Sequence, residues 1–177
     1  DMSIEDATYV SFDLETTGFS VIHDGITEFG AVKIKNGEVI DRLQSFIHPG
    51  KSIGTRVSQL TSITNEMVAD APSIKEFLPK ILEFFEDSIL VAHNAKFDIG
   101  FLNESLKRLG QEPIQNPVID SLALARAIMK PMKSYRLGNV CRVYRVNYDD
   151  EVAHRADYDA EVLGSVFTTM LHSIMQN

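Results

Sequence analysis

Cysteine is nearly absent from this sequence. Cys141 is the only one in 177 residues, so neither an internal disulfide nor a cysteine-built zinc site is possible. That usage fits a reducing compartment and leaves Cys141 as a core filler. No apolar run approaches the roughly 18 residues that a membrane-spanning helix needs. The first residues, DMSIEDA, have neither the basic start nor the apolar centre of a signal peptide. These absences predict a cytoplasmic protein with no membrane partner. Internal repeats, low-complexity tracts and linkers are also missing, so residues 1–177 are expected to form one domain with a sizeable core. An excess of positive charge is missing too. The 17 Lys and Arg stand against 25 Asp and Glu, and the net charge of -8 argues against nonspecific nucleic-acid binding through counterion release.

What the sequence does have is a pair of carboxylates at the end of a strand. In YVSFDLETTG, residues 9 to 18, a period of two puts Val10, Phe12 and Leu14 on one side and Tyr9, Ser11, Asp13 and Glu15 on the other. Two hydroxyls and a glycine follow, so the strand ends in a turn whose backbone can approach a ligand. Like charges this close raise each other's pKa unless a cation lies between them. Hard oxygen ligands of this kind suit magnesium or manganese.

The chain then predicts a mixed α/β sheet. After a strand over residues 8–14, the segments TEFGAVKIK and EVIDRLQSFI are joined by Asn36-Gly37, which favours a two-residue hairpin, so three strands form an antiparallel meander. One or two brief helices are expected between Lys51 and Ala71. Ser73 and Glu76 form a capping box opening an amphipathic helix, with Pro79 expected to bend it or to mark its true start. A short buried strand over 89–92 and a helix from Ala95 to Leu109 ending at Gly110 come next. An extended piece at 117–120, a helix SLALARAIM, a short helix over 137–144 and a last helix over 156–175 complete the chain.

Two further acids fall on inward helix faces. Asp98 lies three residues before Phe101 and four before Leu102, and so continues the apolar stripe that runs on to Leu106 and Leu109. Asp159 lies four before Leu163, in line with Val166, Phe167, Met170, Leu171 and Ile174, whereas Asp157 steps off that face. His154 sits on the loop feeding this helix. Each residue has a plain structural alternative: a solvated strand tip, a helix cap, a surface histidine. Together, four inward acids can converge on two metal ions clamping the attacking and leaving oxygens of a phosphodiester, with a neutral histidine taking a proton. Metal ions would also invert the local field of an acidic chain.

FDLETTG at 12–18, HNAKFD at 93–98 and HRADYDA at 154–160 resemble the three motifs of the DEDD exonuclease superfamily, in its histidine branch (DEDDh). ATYVSFDLETTGFS, GAVKIKNGEVIDR and HRADYDAEVLGSVF resemble in particular the proofreading exonuclease domain of PolC-type bacterial DNA polymerase III. The likeness runs from Ala7 to Met175, with departures in GITEFGAV, where Glu28 is kept, and in LGNVCRVYRV. It implies an RNase H-like fold, with a mixed five-stranded sheet flanked by helices, and a 3′ to 5′ exonuclease releasing nucleoside monophosphates from DNA. The alternative is an exoribonuclease of the same superfamily. It also implies two divalent ions, Mg2+ or Mn2+, on Asp13, Glu15, Asp98 and Asp159, with His154 as general base. Thr16, Thr17 and Gly18 would meet the terminal nucleotide. His93, Asn94, Phe97 and Leu60 would line its channel, although core packing accounts equally well for Phe97 and Leu60. The implied partners are a single-stranded or frayed DNA 3′ end and the other domains or subunits of a replicative polymerase. A chain starting at Asp1 is expected to belong to a longer polypeptide.

Overall fold

The computed structural model describes residues 6–176. The reading of residues 1–5 as free of a signal peptide lies outside them. Strands β1 (Thr8–Thr16), β2 (Ile26–Lys35) and β3 (Glu38–Phe46) open the fold. Helices α1 (Thr55–Thr61), α2 (Asn65–Val68) and α3 (Ile74–Phe85) follow. Then β4 (Ile89–Ala92), α4 (Ala95–Arg108), β5 (Val118–Asp120), α5 (Ser121–Ile128), α6 (Leu137–Val143) and α7 (Ala156–Met175) complete it. The five strands form one sheet in the order β3-β2-β1-β4-β5, antiparallel in the meander and parallel from β1 through β4 to β5. The mixed sheet expected from the sequence is the one observed.

Local chemistry accounts for the joints. Asn36 and Gly37 both have positive φ, 54° and 79°, as a tight turn matched to the twist of β2 and β3 requires. Ser73 accepts the N–H of Glu76, whose side chain returns to the Ser73 N–H, so α3 starts at Ile74. Pro79 therefore lies inside α3 and does not mark its start. Its ring is exposed, and the only helical bond it removes is the one to the carbonyl of Lys75.

The sheet buries an apolar layer on each face. Val10, Phe12 and Leu14 pack with Phe77, Ile81 and Phe85 of α3 and with Phe101, Leu102 and Leu106 of α4. On the other face Tyr9, Val32 and Ile34 pack with Val140, Cys141, Leu163, Val166, Phe167 and Met170, under α6 and α7. Emptying a site such as Leu102 or Leu163 by truncation to alanine should cost roughly 2–5 kcal/mol. The α7 stripe ends sooner than its periodicity suggests, since Leu171 is only half-buried and Ile174 is 40% exposed beyond the sheet edge. Cys141 is buried, and burial pushes its thiol up to about 11. Among the described residues no helix is long and apolar enough to cross a membrane.

Candidate active site

The period of two holds in β1, and it sends Asp13 and Glu15 toward the α7 side of the sheet. The strand continues to Thr16, two residues beyond its expected end, and this lets Glu15 pair with Glu28 across the β1–β2 ladder. Asp13 lies opposite Gly30. A Cβ at Gly30 would stand 2.2 Å from the Asp157 nitrogen and 2.3 Å from the Ala156 carbonyl carbon, so glycine is what admits the first turn of α7 to the sheet. Ser11 fixes that turn by donating its hydroxyl to the Ala160 carbonyl at 2.8 Å. Asp159 consequently comes to the strand pair, 7% exposed, while Asp157 faces solvent. Glu15, Asp159 and His154 each place one ligating atom within 4.8 Å of the others.

The second helix acid arrives from α4. Asp98 is 3% exposed and does not cap its own helix, because the N-cap is Asn94, with φ 74°. Among the described residues its carboxylate has no hydrogen-bond or ion-pair partner. Burial, then the charges of Glu15 and Asp120, hold its pKa well above the carboxylate range. Asp13 is raised in the same way by burial, then by Asp98, Glu15 and Asp159. Burial with Asp159 and Glu28 pushes Glu15 up to about 8, against the pull of Arg155. Asp159 is raised by burial, opposed by the Tyr148 hydroxyl, which donates to it at 3.1 Å. Buried carboxylates that repel one another and lack donors need a cation or protons. Oxygen donors with one imidazole beside them fit a divalent metal ion.

His154 contrasts with the acids. It is exposed, stands in the left-handed region at φ 72°, and is tied to the cluster by its backbone N–H, 3.4 Å from Asp159 Oδ1. The remaining residues singled out from the sequence fall in three groups. Thr16 and Thr17 are buried and spend their hydroxyls on the turn: Thr16 donates to the Gly18 carbonyl, and Thr17 donates to Asp24 and accepts from the Gly25 N–H. A side chain at Gly18 would meet the Asp24 carboxylate at 2.4 Å, so the turn presents backbone outward. His93 donates from Nε2 to the Tyr135 carbonyl at 2.6 Å and holds Ser121 Oγ at 2.9 Å through Nδ1, which makes it a joint between β4, α5 and the loop before α6. Asn94 is exposed. Phe97 is half-buried, in tilted contact with the core Phe101 and edge-on contact with the 92%-exposed Phe19. Leu60 is 66% exposed on α1, which excludes core packing for it.

A cavity of about 520 Å3 opens beside these groups, lined by Asp13, Asp159, His154, His93, Tyr148 and residues of α6. Comparison with known proteins decides the family. The exonuclease family model (RNase_T) matches residues 10–167. The chain belongs to this exonuclease family. It is 49% identical over 179 residues to a DNA polymerase III of PolC type from Ureaplasma parvum, covering 100% of this chain and 12% of that protein. It is 41% identical over 169 residues to the Bacillus subtilis counterpart, covering 95% of this chain and 12% of that one. The chain thus spans about an eighth of the length of these relatives. Among solved structures, exonuclease X in complex with 5′-overhanging duplex DNA superposes with a TM-score of 0.75 at 23% identity, over 94% of this chain and 92% of that one. Escherichia coli exonuclease I in complex with a dA16 oligonucleotide gives 0.81 at 17%, over 95% and 41%. At those identities the likeness is one of fold, and the sheet is the RNase H-like one that the motifs imply.

Three residues of the exonuclease site were missed by reading the sequence for inward acids. Glu28 is 1% exposed and accepts from the Ala156 N–H at 3.0 Å and from Gln44 at 2.9 Å. Arg155 pairs with it at 3.7 Å, reaches the Thr61 carbonyl and lies over the Phe46 ring. Together they lock the start of α7 to β2 and α1. The signal for Glu28 was an acid in the run ITEFGAV, which carries no other charge. Tyr148 gave none, because only the tertiary fold carries its hydroxyl to Asp159.

Proposed function

We infer that this exonuclease hydrolyses DNA phosphodiesters from the 3′ end, releases nucleoside monophosphates, and serves as the proofreading segment of a replicative polymerase. The observation that carries this is the gathering of Glu15, Asp159 and His154 within 4.8 Å, beside the buried Asp98 and the half-buried Asp13, neither with a protein partner among the described residues. The 3′ polarity and the proofreading role follow from the motif resemblance and from relatives that are PolC-type polymerases. The other domains of such a polymerase are the expected partners.

Asp13, Glu15, Asp98 and Asp159 would hold two divalent ions, Mg2+ or Mn2+, which supply charge neutralisation at the scissile phosphate and a more acidic water. The chain does the rest. Ser11, Gly30 and Glu28 keep α7 against β1, so Asp159 meets Glu15 and Asp13 in a fixed geometry. His154 takes the proton of the attacking water on an imidazole nitrogen and, being exposed, passes it to solvent. The Thr16–Gly18 backbone, shaped by Asp24, receives the terminal nucleotide. Asn94, Phe97 and Leu60 flank the strand, the two apolar ones against bases.

The test is digestion of 5′-labelled DNA carrying a 3′ mismatch, with and without Mg2+ or Mn2+, beside an RNA of the same sequence. A ladder shortening from the 3′ end, with deoxynucleoside monophosphates as product, is expected. No metal-dependent product, or RNA cut as fast as DNA, would overturn the reading.

A further inference from the structure

The net charge of the chain hides a strong polarity. From Ser121 to Tyr148 there are six cations, Arg126, Lys130, Lys133, Arg136, Arg142 and Arg145, and no acid at all. The rest of the chain has 11 cations against its 25 acids. All six side chains are exposed. None forms an ion pair with a described residue; Arg142 donates only to Asn139 Oδ1, at 3.2 Å. Elsewhere four of the 11 cations, Arg42, Lys51, Arg108 and Arg155, are paired to a carboxylate. A cationic stretch with no acids to neutralise it repels itself and has no structural reason to be so composed.

Its position supplies a reason. The cavity that holds Asp13, Asp159 and His154 is also lined by Arg136, Asn139 and Arg142 of α6 and its start. Its volume, about 520 Å3, suits a nucleotide-sized occupant. Asp150 is the one further acid in that wall. A polyanion filling the cavity therefore meets both the carboxylates and guanidinium groups that have no ion-pair partner. We propose that the stretch from Arg126 to Arg145 is the backbone track for the strand, with Arg136 and Arg142 taking phosphates upstream of the one being cut. The inference rests on the exonuclease reading and deepens it, by saying where an acidic protein holds a polyanionic substrate. Guanidinium groups pair bidentately with phosphate, and contacts to phosphate alone are independent of base sequence, as a proofreading enzyme needs. An acidic protein surface is the rival occupant.

The experiment compares the parent with the double variant Arg136→Gln/Arg142→Gln and with a charge-matched control on α3, Lys75→Gln/Lys80→Gln. Binding of fluorescein-labelled dT20 to metal-free protein is followed by anisotropy across a KCl series, and kcat and KM are measured for dT20 with Mn2+. Losing two phosphate contacts should lower the slope of log K against log[salt] by about 1.4 and weaken binding near 0.1 M salt by roughly ten- to thirtyfold. The loss should appear in KM, with kcat within about twofold, and the α3 control should keep the parent's slope. Equal slopes and equal KM in the parent and the α6 variant would overturn the proposal and leave an acidic protein as the occupant. If the parent binds dT20 through these arginines without cutting it, the track stands and the hydrolytic reading fails.

Discussion

The carboxylates and the histidine of this site are built in opposite ways. Asp13, Asp98 and Asp159 come from a central strand and from the first turns of two helices packed on it; burial raises all three pKa values, with repulsion from neighbouring carboxylates adding to it at Asp13 and Asp98 and the Tyr148 hydroxyl opposing it at Asp159. His154 stands outside, exposed, in a left-handed turn, tied by a single backbone N–H. The difference teaches what each part is for. In the proposed mechanism, groups that would share a cation are fixed at a cost in stability, whereas a group that would give its proton away is left in reach of water.

The largest effect that could break this contrast comes from Asp13→Asn. Activity should fall about a thousandfold while the metal-free protein melts higher, since one repelling charge is gone; a lower melting temperature would remove the idea of stored repulsion. Next, His154→Asn, chosen because asparagine tolerates positive φ, should lose roughly a hundredfold in kcat, while calorimetry shows Mn2+ still binding. Full activity in that variant would move the base elsewhere. Gly30→Ala should come third, pushing α7 off the strand and lowering activity and stability together by about 1–3 kcal/mol in a denaturant titration.

The smallest effect is in pH. Glu15 ordinarily titrates near 4.5 and is pushed up to about 8 in the fold. Between those values the folded chain holds more protons than the unfolded one, so stability without metal falls as pH rises through that window. Melting temperatures in chelator at pH 5 and pH 8 should differ in that sense, and added Mn2+ should raise the value at pH 8 more than at pH 5. Stability that rises over the same window would contradict the direction of the shift.

Most of the fold could be read from local chemistry. The Asn36-Gly37 hairpin, the Ser73 capping box and the spacing of Leu163 to Met170 are short-range signals, and each places its element correctly. Asp98 and Asp159 were legible because helical periodicity says which way a side chain points before any partner is known. Glu28, Arg155 and Tyr148 were not, since their roles exist only once β2, α1 and α7 are brought together. That the hydroxyls of Thr16 and Thr17 hold the turn that presents Gly18 was likewise not legible, since their partners exist only once the turn is closed. The charge of the whole chain is a sum over 177 residues, and it conceals a stretch of one sign.

Anomalous diffraction from crystals soaked in manganese at pH 8 tests the arrangement most directly. Two peaks coordinated by carboxylate oxygens of Asp13, Glu15, Asp98 and Asp159, with His154 outside the ligand shell, is the predicted result. Density absent from that cluster, or a single ion held by His154 with Asp98 still unpartnered, would contradict it.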